Sequence, residues 1–137
     1  MHETTALPAE RHVVAPDGCD VRVLLGRPGG TFAHFSLRPG GVTVPVRHRS
    51  VEELWYFLSG DGVLWRDDGA DAAEVEVRAG VCTSIPLGTA FQLRSTGAED
   101  LTAVAVTMPP WPGDGEAVRA AGPWAPNVEP GPGLGEA

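Results

Sequence analysis

The chain has 137 residues, enough for one domain and too few for two ordinary ones. Its 10 Lys and Arg against 18 Asp and Glu give a formal net charge of −8, which argues against nucleic-acid and anionic-membrane partners. All the cations are arginine, which excludes lysine Schiff-base chemistry, pyridoxal phosphate anchoring and a Walker-type phosphate loop. With 42% hydrophobic residues, the chain can bury a core.

The cysteines and the N-terminal residues bear on cellular location. Cys19 and Cys82 lie far apart and form no C-x-x-C pair, which is typical of reduced thiols, and the apolar context of Cys82 predicts a buried, inert side chain. The first ten residues are polar without a secretory pattern, and no apolar run approaches the ~20 residues of a transmembrane helix. The sequence therefore predicts a cytoplasmic protein.

Short apolar segments with a period of two dominate the chain up to Met108. Turn signals rich in Gly, Pro and Asp separate them, and no window shows the apolar stripe of a helix. Strands at this spacing predict an all-β, antiparallel sandwich or barrel. The predicted strands are Val21–Leu25, Thr31–Leu37, Val42–Arg47, Leu54–Leu58, Gly62–Arg66, Glu74–Arg78, Val81–Ile85, Phe91–Arg94 and Leu101–Met108.

The chain has three predicted parts, and the density of Gly and Pro marks the start of the last one. Residues 1–29 are expected to form N-terminal strands or an arm, and residues 30–108 the barrel itself. Residues 109–137 are a Pro/Gly-rich segment, because these residue types become much denser after Met108. We expect the end of this segment, from Glu129 onward, to be mobile.

Two segments narrow the choice of all-β fold. Residues 41–60 read GVTVPVRHRSVEELWYFLSG, and residues 80–95 read GVCTSIPLGTAFQLRS. They resemble the two cupin motifs, G-x5-H-x-H-x3,4-E-x6-G and G-x5-P-x-G-x2-H-x3-N, with each glycine, the proline and the glutamate at the expected spacing. The resemblance covers roughly residues 30–108 and implies the jelly-roll β-barrel of a small single-domain cupin.

The sequence departs from this resemblance at the family's metal site. In metal-binding cupins, two motif-one histidines, the glutamate and the motif-two histidine bind one divalent metal. Those positions hold Arg47, Arg49, Glu53 and Phe91 here. Arginine has no lone pair to give at ordinary pH, and phenylalanine has none at all. One carboxylate does not make a transition-metal site, so we expect no bound metal and no cofactor.

Arg47 and Arg49 share one face of their predicted strand, because residues i and i+2 point the same way. In the cupin register both would enter the barrel mouth beside Glu53, where Phe91 makes one wall apolar. Two interpretations stay open. The arginines could clamp a ligand carboxylate or phosphate bidentately, or they could pair structurally with Glu53 and neighbouring carboxylates.

A shift of that strand by one residue would exchange its two faces. His48 would then point inward together with Val46, and His48-x4-Glu53 still satisfies the permitted motif spacing. If His34 on the preceding predicted strand faced the same cavity, His34, His48 and Glu53 would form a facial triad for non-haem iron.

Three functions remain open from the sequence. We favour a metal-free domain that binds a small acidic or aromatic molecule, expected to be anionic, through the four residues at the family's metal-ligand positions. One alternative is a metal-independent isomerase, epimerase or cyclase in which His48 or Glu53 moves a proton, and a second histidine or carboxylate within hydrogen-bond reach of His48 would favour it. The other is a metal-dependent oxygenase or isomerase with the shifted ligand set. The resemblance also implies a homodimer formed through sheet faces and exchanged N-terminal strands.

Overall fold

Eleven strands build the structure, a computed structural model that describes residues 2–136. Each of the nine predicted segments contains or overlaps one of them, and the two additional strands are short. These residues contain no helix, and therefore none that is long and apolar enough to cross a membrane. The predicted all-β class is confirmed. In chain order the strands are β1 (Val13–Val14), β2 (Asp20–Arg27), β3 (Gly30–Leu37), β4 (Val46–His48), β5 (Glu52–Ser59), β6 (Asp61–Asp67), β7 (Ala72–Arg78), β8 (Cys82–Ile85), β9 (Ala90–Ser95), β10 (Leu101–Met108) and β11 (Ala117–Arg119).

The strands form two antiparallel sheets that share one core. The larger sheet has the order β1-β2-β3-β10-β5-β8, and the smaller one has the order β11-β4-β9-β6-β7. The alternation of inner and outer side chains is clearest in β5, where Glu53, Trp55 and Phe57 are buried and the residues between them are exposed. This alternation explains why a period of two in the sequence predicts the strands.

Large side chains fill one end of the space between the sheets. Leu37, Phe57 and Leu101 from the larger sheet are almost fully buried there, as are Leu64 and Leu93 from the smaller one. Further along the same strands the inner positions include the small residues Ala33 on β3 and Ala103 and Ala105 on β10. The core is therefore closed at the Phe57 end and leaves room at the other.

The chain after β10 returns to the barrel as a segment that we call the C-terminal strap (residues 109–136). Its strand β11 pairs with β4, the N–H of Gly131 donates to Ala15 O at 2.9 Å, and that of Gly135 donates to Ala117 O at 2.8 Å. The sequence predicts a mobile tail from Glu129. Up to residue 136 this tail includes glycine N–H groups that donate to the carbonyls of residues 15 and 117, and its mobility stays a prediction; Ala137 lies outside the described residues.

Candidate functional site

A cavity of about 210 Å³ lies between the sheets, at the end opposite Phe57. Small side chains leave this space, since Ala33 and Ala105 take the inner positions on β3 and β10. The walls are mostly apolar, and residues around β1 and from the C-terminal strap complete the rim. A mostly apolar concave site with a few polar groups is the usual form of a small-molecule pocket.

His48 and Glu53 form the polar centre of the cavity. β4 and β5 point both side chains inward, where they are 6% and 9% exposed. Nδ1 of His48 lies 3.0 Å from Oε2 of Glu53, an ion-pair distance, although the ring is not aimed to make a linear hydrogen bond. Trp55 Nε1 donates to the other carboxylate oxygen at 3.1 Å. An imidazole and a carboxylate at this distance can exchange a proton with a bound molecule.

Aromatic rings enclose the imidazole of His48. Phe91 and Trp111 both meet it edge to face, with ring centroids 5.3 Å and 5.2 Å away. Trp55 packs against Phe91 in the same manner at 5.3 Å. These rings keep water away from much of the His48–Glu53 pair, and electrostatic interactions are stronger in such an environment than in bulk water.

Glu116 holds the loop between β4 and β5 that separates His48 from Glu53. Its carboxylate accepts hydrogen bonds from the backbone N–H groups of Ser50 at 2.7 Å and Val51 at 3.0 Å, and from the Ser50 hydroxyl. Burial by itself raises the pKa of Glu116, but these hydrogen bonds outweigh it and lower that pKa below its ordinary value. Glu116 therefore fixes the two strand ends from the C-terminal strap.

The two cysteines differ in environment. Cys19 lies in the cavity wall, where its N–H donates to Asp17 Oδ1 at 3.1 Å. Burial raises the pKa of the Cys19 thiol well above its usual value, and burial also raises the pKa of Asp17. The expectation that Cys82 is buried is wrong, because its position on β8 points to the outer face of the larger sheet, where it is exposed.

The structure corrects the predicted placement of Arg47 and Arg49, which are exposed on the outer side of β4 and do not line the cavity. Val46 and His48 take the inward positions instead, as in the strand shifted by one residue. Two guanidiniums buried among the mostly apolar walls would carry a large desolvation cost, whereas Val46 and His48 are buried at much lower cost. The structure places Glu53 and Phe91 on the cavity wall, while their role in binding remains a prediction.

His34 does not join the pair in the cavity. On β3 its neighbours Ala33 and Phe35 point inward, so His34 lies on the outer face of the larger sheet, where burial lowers its pKa. The predicted triad of His34, His48 and Glu53 is therefore wrong, because successive strand residues face opposite sides. In residues 2–136, no group of three or more His, Cys, Asp or Glu side chains could hold a metal ion.

Several polar or aromatic cavity residues are absent from the sequence-based site, among them Asp17, Thr107 and Trp111. Asp17 belongs to a Pro-Asp-Gly turn, and Trp111 lies in the Pro-rich segment, so neither carries a motif. Thr107 lies on the predicted strand Leu101–Met108, and inward alternation from Leu101 would have found it.

Comparisons with known proteins agree with this architecture. Residues 33–107 match the family model of the cupin domain. A Klebsiella pneumoniae protein with a double-stranded β-helix domain is 18% identical, with a TM-score of 0.59 over 67% of this chain and 77% of that one. A Bacillus halodurans protein is 20% identical, with a TM-score of 0.62 over 73% of this chain and 74% of that one. Oxalate decarboxylase from Bacillus subtilis is 16% identical, with a TM-score of 0.64 over 74% of this chain but only 28% of that one. No curated protein matches the chain in sequence.

Two antiparallel sheets around an inner cavity define a jelly-roll barrel, and the jelly roll expected from the sequence is confirmed. Because the family model covers more than half of the chain, the protein belongs to the cupin domain family. At these identities the solved structures share the fold alone, and the chain spans less than a third of oxalate decarboxylase.

The divalent metal of metal-binding cupins does not fit this cavity. In the observed register the four ligand positions hold Val46, His48, Glu53 and Phe91, and only two of these side chains offer a lone pair. Protein metal sites for transition metals have three or four such ligands. The chemistry of the site is therefore derived from the side chains alone.

Proposed function

We propose that the protein binds a small, neutral and largely apolar molecule, such as a monocyclic aromatic compound, in the cavity between its sheets. The single observation that carries this proposal is the buried His48–Glu53 pair in a cavity whose other walls are mostly apolar. The apolar walls favour the body of the ligand through the hydrophobic effect, and the pair orients its polar group.

Size and charge define the ligand further. An apolar cavity of about 150 Å³ holds benzene in another protein, so the present cavity has room for a ring with a small substituent. Its lining includes the carboxylates of Asp17, Glu53 and Asp114 but no arginine from residues 2–136. The anionic ligand expected from Arg47 and Arg49 is therefore replaced in this proposal by a neutral one, because neither guanidinium faces the cavity.

The binding proposal predicts that toluene or indole raises the melting temperature of the protein and binds it in calorimetry. Ala105→Leu fills the cavity from the centre of β10 and is expected to abolish binding, whereas Arg47→Ala, outside the cavity, leaves it unchanged. Titration shifts of the Trp111 indole N–H in NMR spectra report the same event without a variant. If no apolar probe binds, or if Arg47→Ala weakens binding as much as Ala105→Leu, the cavity is not the binding site.

A hydrogen-exchange experiment addresses the metal-independent isomerase, epimerase or cyclase that the sequence left open. The separation of 3.0 Å between His48 and Glu53 favours this second function, because it places a base and an acid beside the ligand. A bound carbonyl compound in D₂O would then exchange its α-hydrogens, and Glu53→Gln would slow that exchange by roughly 10²- to 10⁴-fold. Exchange at the buffer rate would leave binding as the function.

We further propose that the protein is a homodimer that pairs the outer faces of its larger sheets. Phe32, Leu54, Tyr56 and Leu58 are between 41% and 47% exposed on that face, and Val104 and Val106 on β10 connect them. Apolar patches of this kind mark interfaces, and symmetric pairs of one chain are the commonest assembly. The six side chains named are uncharged, with Glu52 at their edge on β5, so two chains of net charge −8 can meet there without opposing acidic groups at the centre of the interface.

The dimer proposal predicts a mass of two chains in light scattering at micromolar concentration. Leu54→Asp combined with Leu58→Asp is expected to give single chains, because each dimer would bury the new carboxylates without partners. Leu87→Asp is the control, since Leu87 is 57% exposed in the loop after β8 and lies away from the patch. A wild-type protein that has the mass of one chain would refute the proposed dimer.

A further inference from the structure

We propose that Thr107 makes the cavity selective for neutral ligands that carry a hydroxyl group on an apolar body. This inference rests on the proposed binding function and names the ligand class for that site. Thr107 lies on β10 directly opposite Glu53 on β5, with its side chain on the inner face. It is thus next to the polar centre of the cavity, at the end of the strand nearest the rim.

The hydroxyl of Thr107 has no partner in the part of the chain that the structure describes. The residue is only 9% exposed, and Oγ1 is buried without a hydrogen bond. Its other cross-strand neighbour, Thr31, already uses its hydroxyl to accept from the Trp111 N–H at 3.1 Å. Burying a hydroxyl without a hydrogen-bond partner costs free energy. When such a hydroxyl faces a cavity, it indicates a ligand whose polar group supplies the missing hydrogen bond.

A hydroxyl group on the ligand matches the Thr107 hydroxyl better than a charged group on the ligand does. Threonine can both donate and accept a hydrogen bond, as can a phenol or alcohol, whereas a carboxylate can only accept and an ammonium can only donate. Glu53 already faces Trp55 Nε1 and His48 Nδ1, and burial favours the neutral form of Asp17. The carboxylate opposite Thr107 is thus already engaged, and Asp114 of the lining is exposed to solvent, so a neutral group that donates and accepts fits the site beside Thr107.

The test compares p-cresol, toluene, p-toluate and benzylamine by calorimetry on the wild-type protein and on Thr107 variants. In the wild type we expect p-cresol to bind about 10-fold more tightly than toluene, the difference that one buried hydrogen bond provides, and the two ions to bind more weakly than p-cresol. Thr107→Val is expected to remove the preference for p-cresol over toluene, and Thr107→Ser is expected to restore most of it. The readout is the ratio of the affinities for p-cresol and toluene. A general loosening of the cavity would weaken both ligands and therefore cannot produce the loss of this preference.

Thr83→Val is the matched control. Thr83 on β8 is also buried, with a hydroxyl that finds no partner among residues 2–136, but it does not line the cavity, so its replacement should leave the ratio unchanged. If Thr107→Val does not fold, the preference of the wild type for p-cresol over 4-methylanisole, which lacks the donor, tests the same contact. Equal binding of p-cresol and toluene, tighter binding of an ion, or an unchanged ratio in Thr107→Val would overturn the proposal. Failure of toluene and p-cresol alike to bind would instead refute the proposed function.

Discussion

Gly60→Ala is expected to destabilise the fold by about 3 kcal/mol, the sum of a left-handed backbone and a steric overlap. Gly60 closes the turn between β5 and β6 with φ +81°, a conformation that side chains rarely adopt. An added Cβ would also lie 2.5 Å from Asp100 O and 2.7 Å from Leu101 Cα, which are backbone atoms that cannot move aside separately. Urea unfolding measures the loss in the free energy of unfolding, and the slope of that free energy against urea concentration is expected to stay unchanged. The melting temperature should fall by roughly 10 °C.

Gly40→Ala separates the two contributions to this loss. Gly40 has a similar φ of +76°, but no atom lies within 4 Å of its added Cβ. Its substitution is expected to cost only the backbone term, about 1–2 kcal/mol. Equal losses in the two variants would show that the approach of Asp100 to the turn does not constrain Gly60.

The sequence predicts the strands well where the alternation of buried and exposed residues is long. β5 and β10 have seven or eight residues in such a pattern, and their predicted positions are confirmed to within a few residues. The strands that it misses, β1 and β11, have two and three residues. Strands this short show no periodicity in the sequence. Each is defined by its hydrogen bonds to a longer or more central strand, β1 by its pairing with β2 and β11 by its pairing with β4.

Strand register limits what the sequence reveals about the site. The spacing of the cupin motif allows either Arg47 or His48 to point inward, and a shift by one residue exchanges all side chains between the faces. The pairing of β4 with its neighbours decides which of the two side chains faces the cavity. Val46 lies opposite Phe91 on β9, and His48 lies opposite Ala117 on β11. Both contacts join segments far apart in sequence, so a local motif cannot contain them.

The remaining cavity residues come from the chain on either side of the motifs. Asp17 follows β1, and Trp111 and Asp114 belong to the C-terminal strap. The sequence marks these places only as turns and as a region rich in proline and glycine. Their place in the cavity follows from how the termini cross the barrel, which depends on tertiary contacts rather than on local pattern.

The C-terminal strap gives this cavity one of its walls through a close approach of two backbones. Gly131 lies against the end of β1, and an added Cβ would be 2.0 Å from Val14 O and 2.5 Å from Ala15 O. The next two residues, Pro132 and Gly133, line the cavity. Only a residue without a side chain lets the strap approach closely enough to form the hydrogen bond from Gly131 N to Ala15 O.

Gly131→Ala is therefore expected to detach this part of the strap and to weaken ligand binding in the cavity. The overlap should cost about 1–3 kcal/mol, and the melting temperature should fall by roughly 3–5 °C for each kcal/mol. Amide hydrogen exchange should become faster at Gly131 and Gly135, whose N–H groups are hydrogen-bonded in the wild type. Exchange should remain slow in β5 and β10, because the strap opens while the barrel persists.

Toluene and p-cresol should lose affinity together in Gly131→Ala, since both depend on the wall that Pro132 and Gly133 complete. Gly29→Ala is the control, because nothing lies within 4 Å of its added Cβ and no left-handed φ is involved. Slow exchange at both strap glycines in Gly131→Ala, with unchanged affinity for both probes, would show that the strap does not depend on this contact to close the cavity.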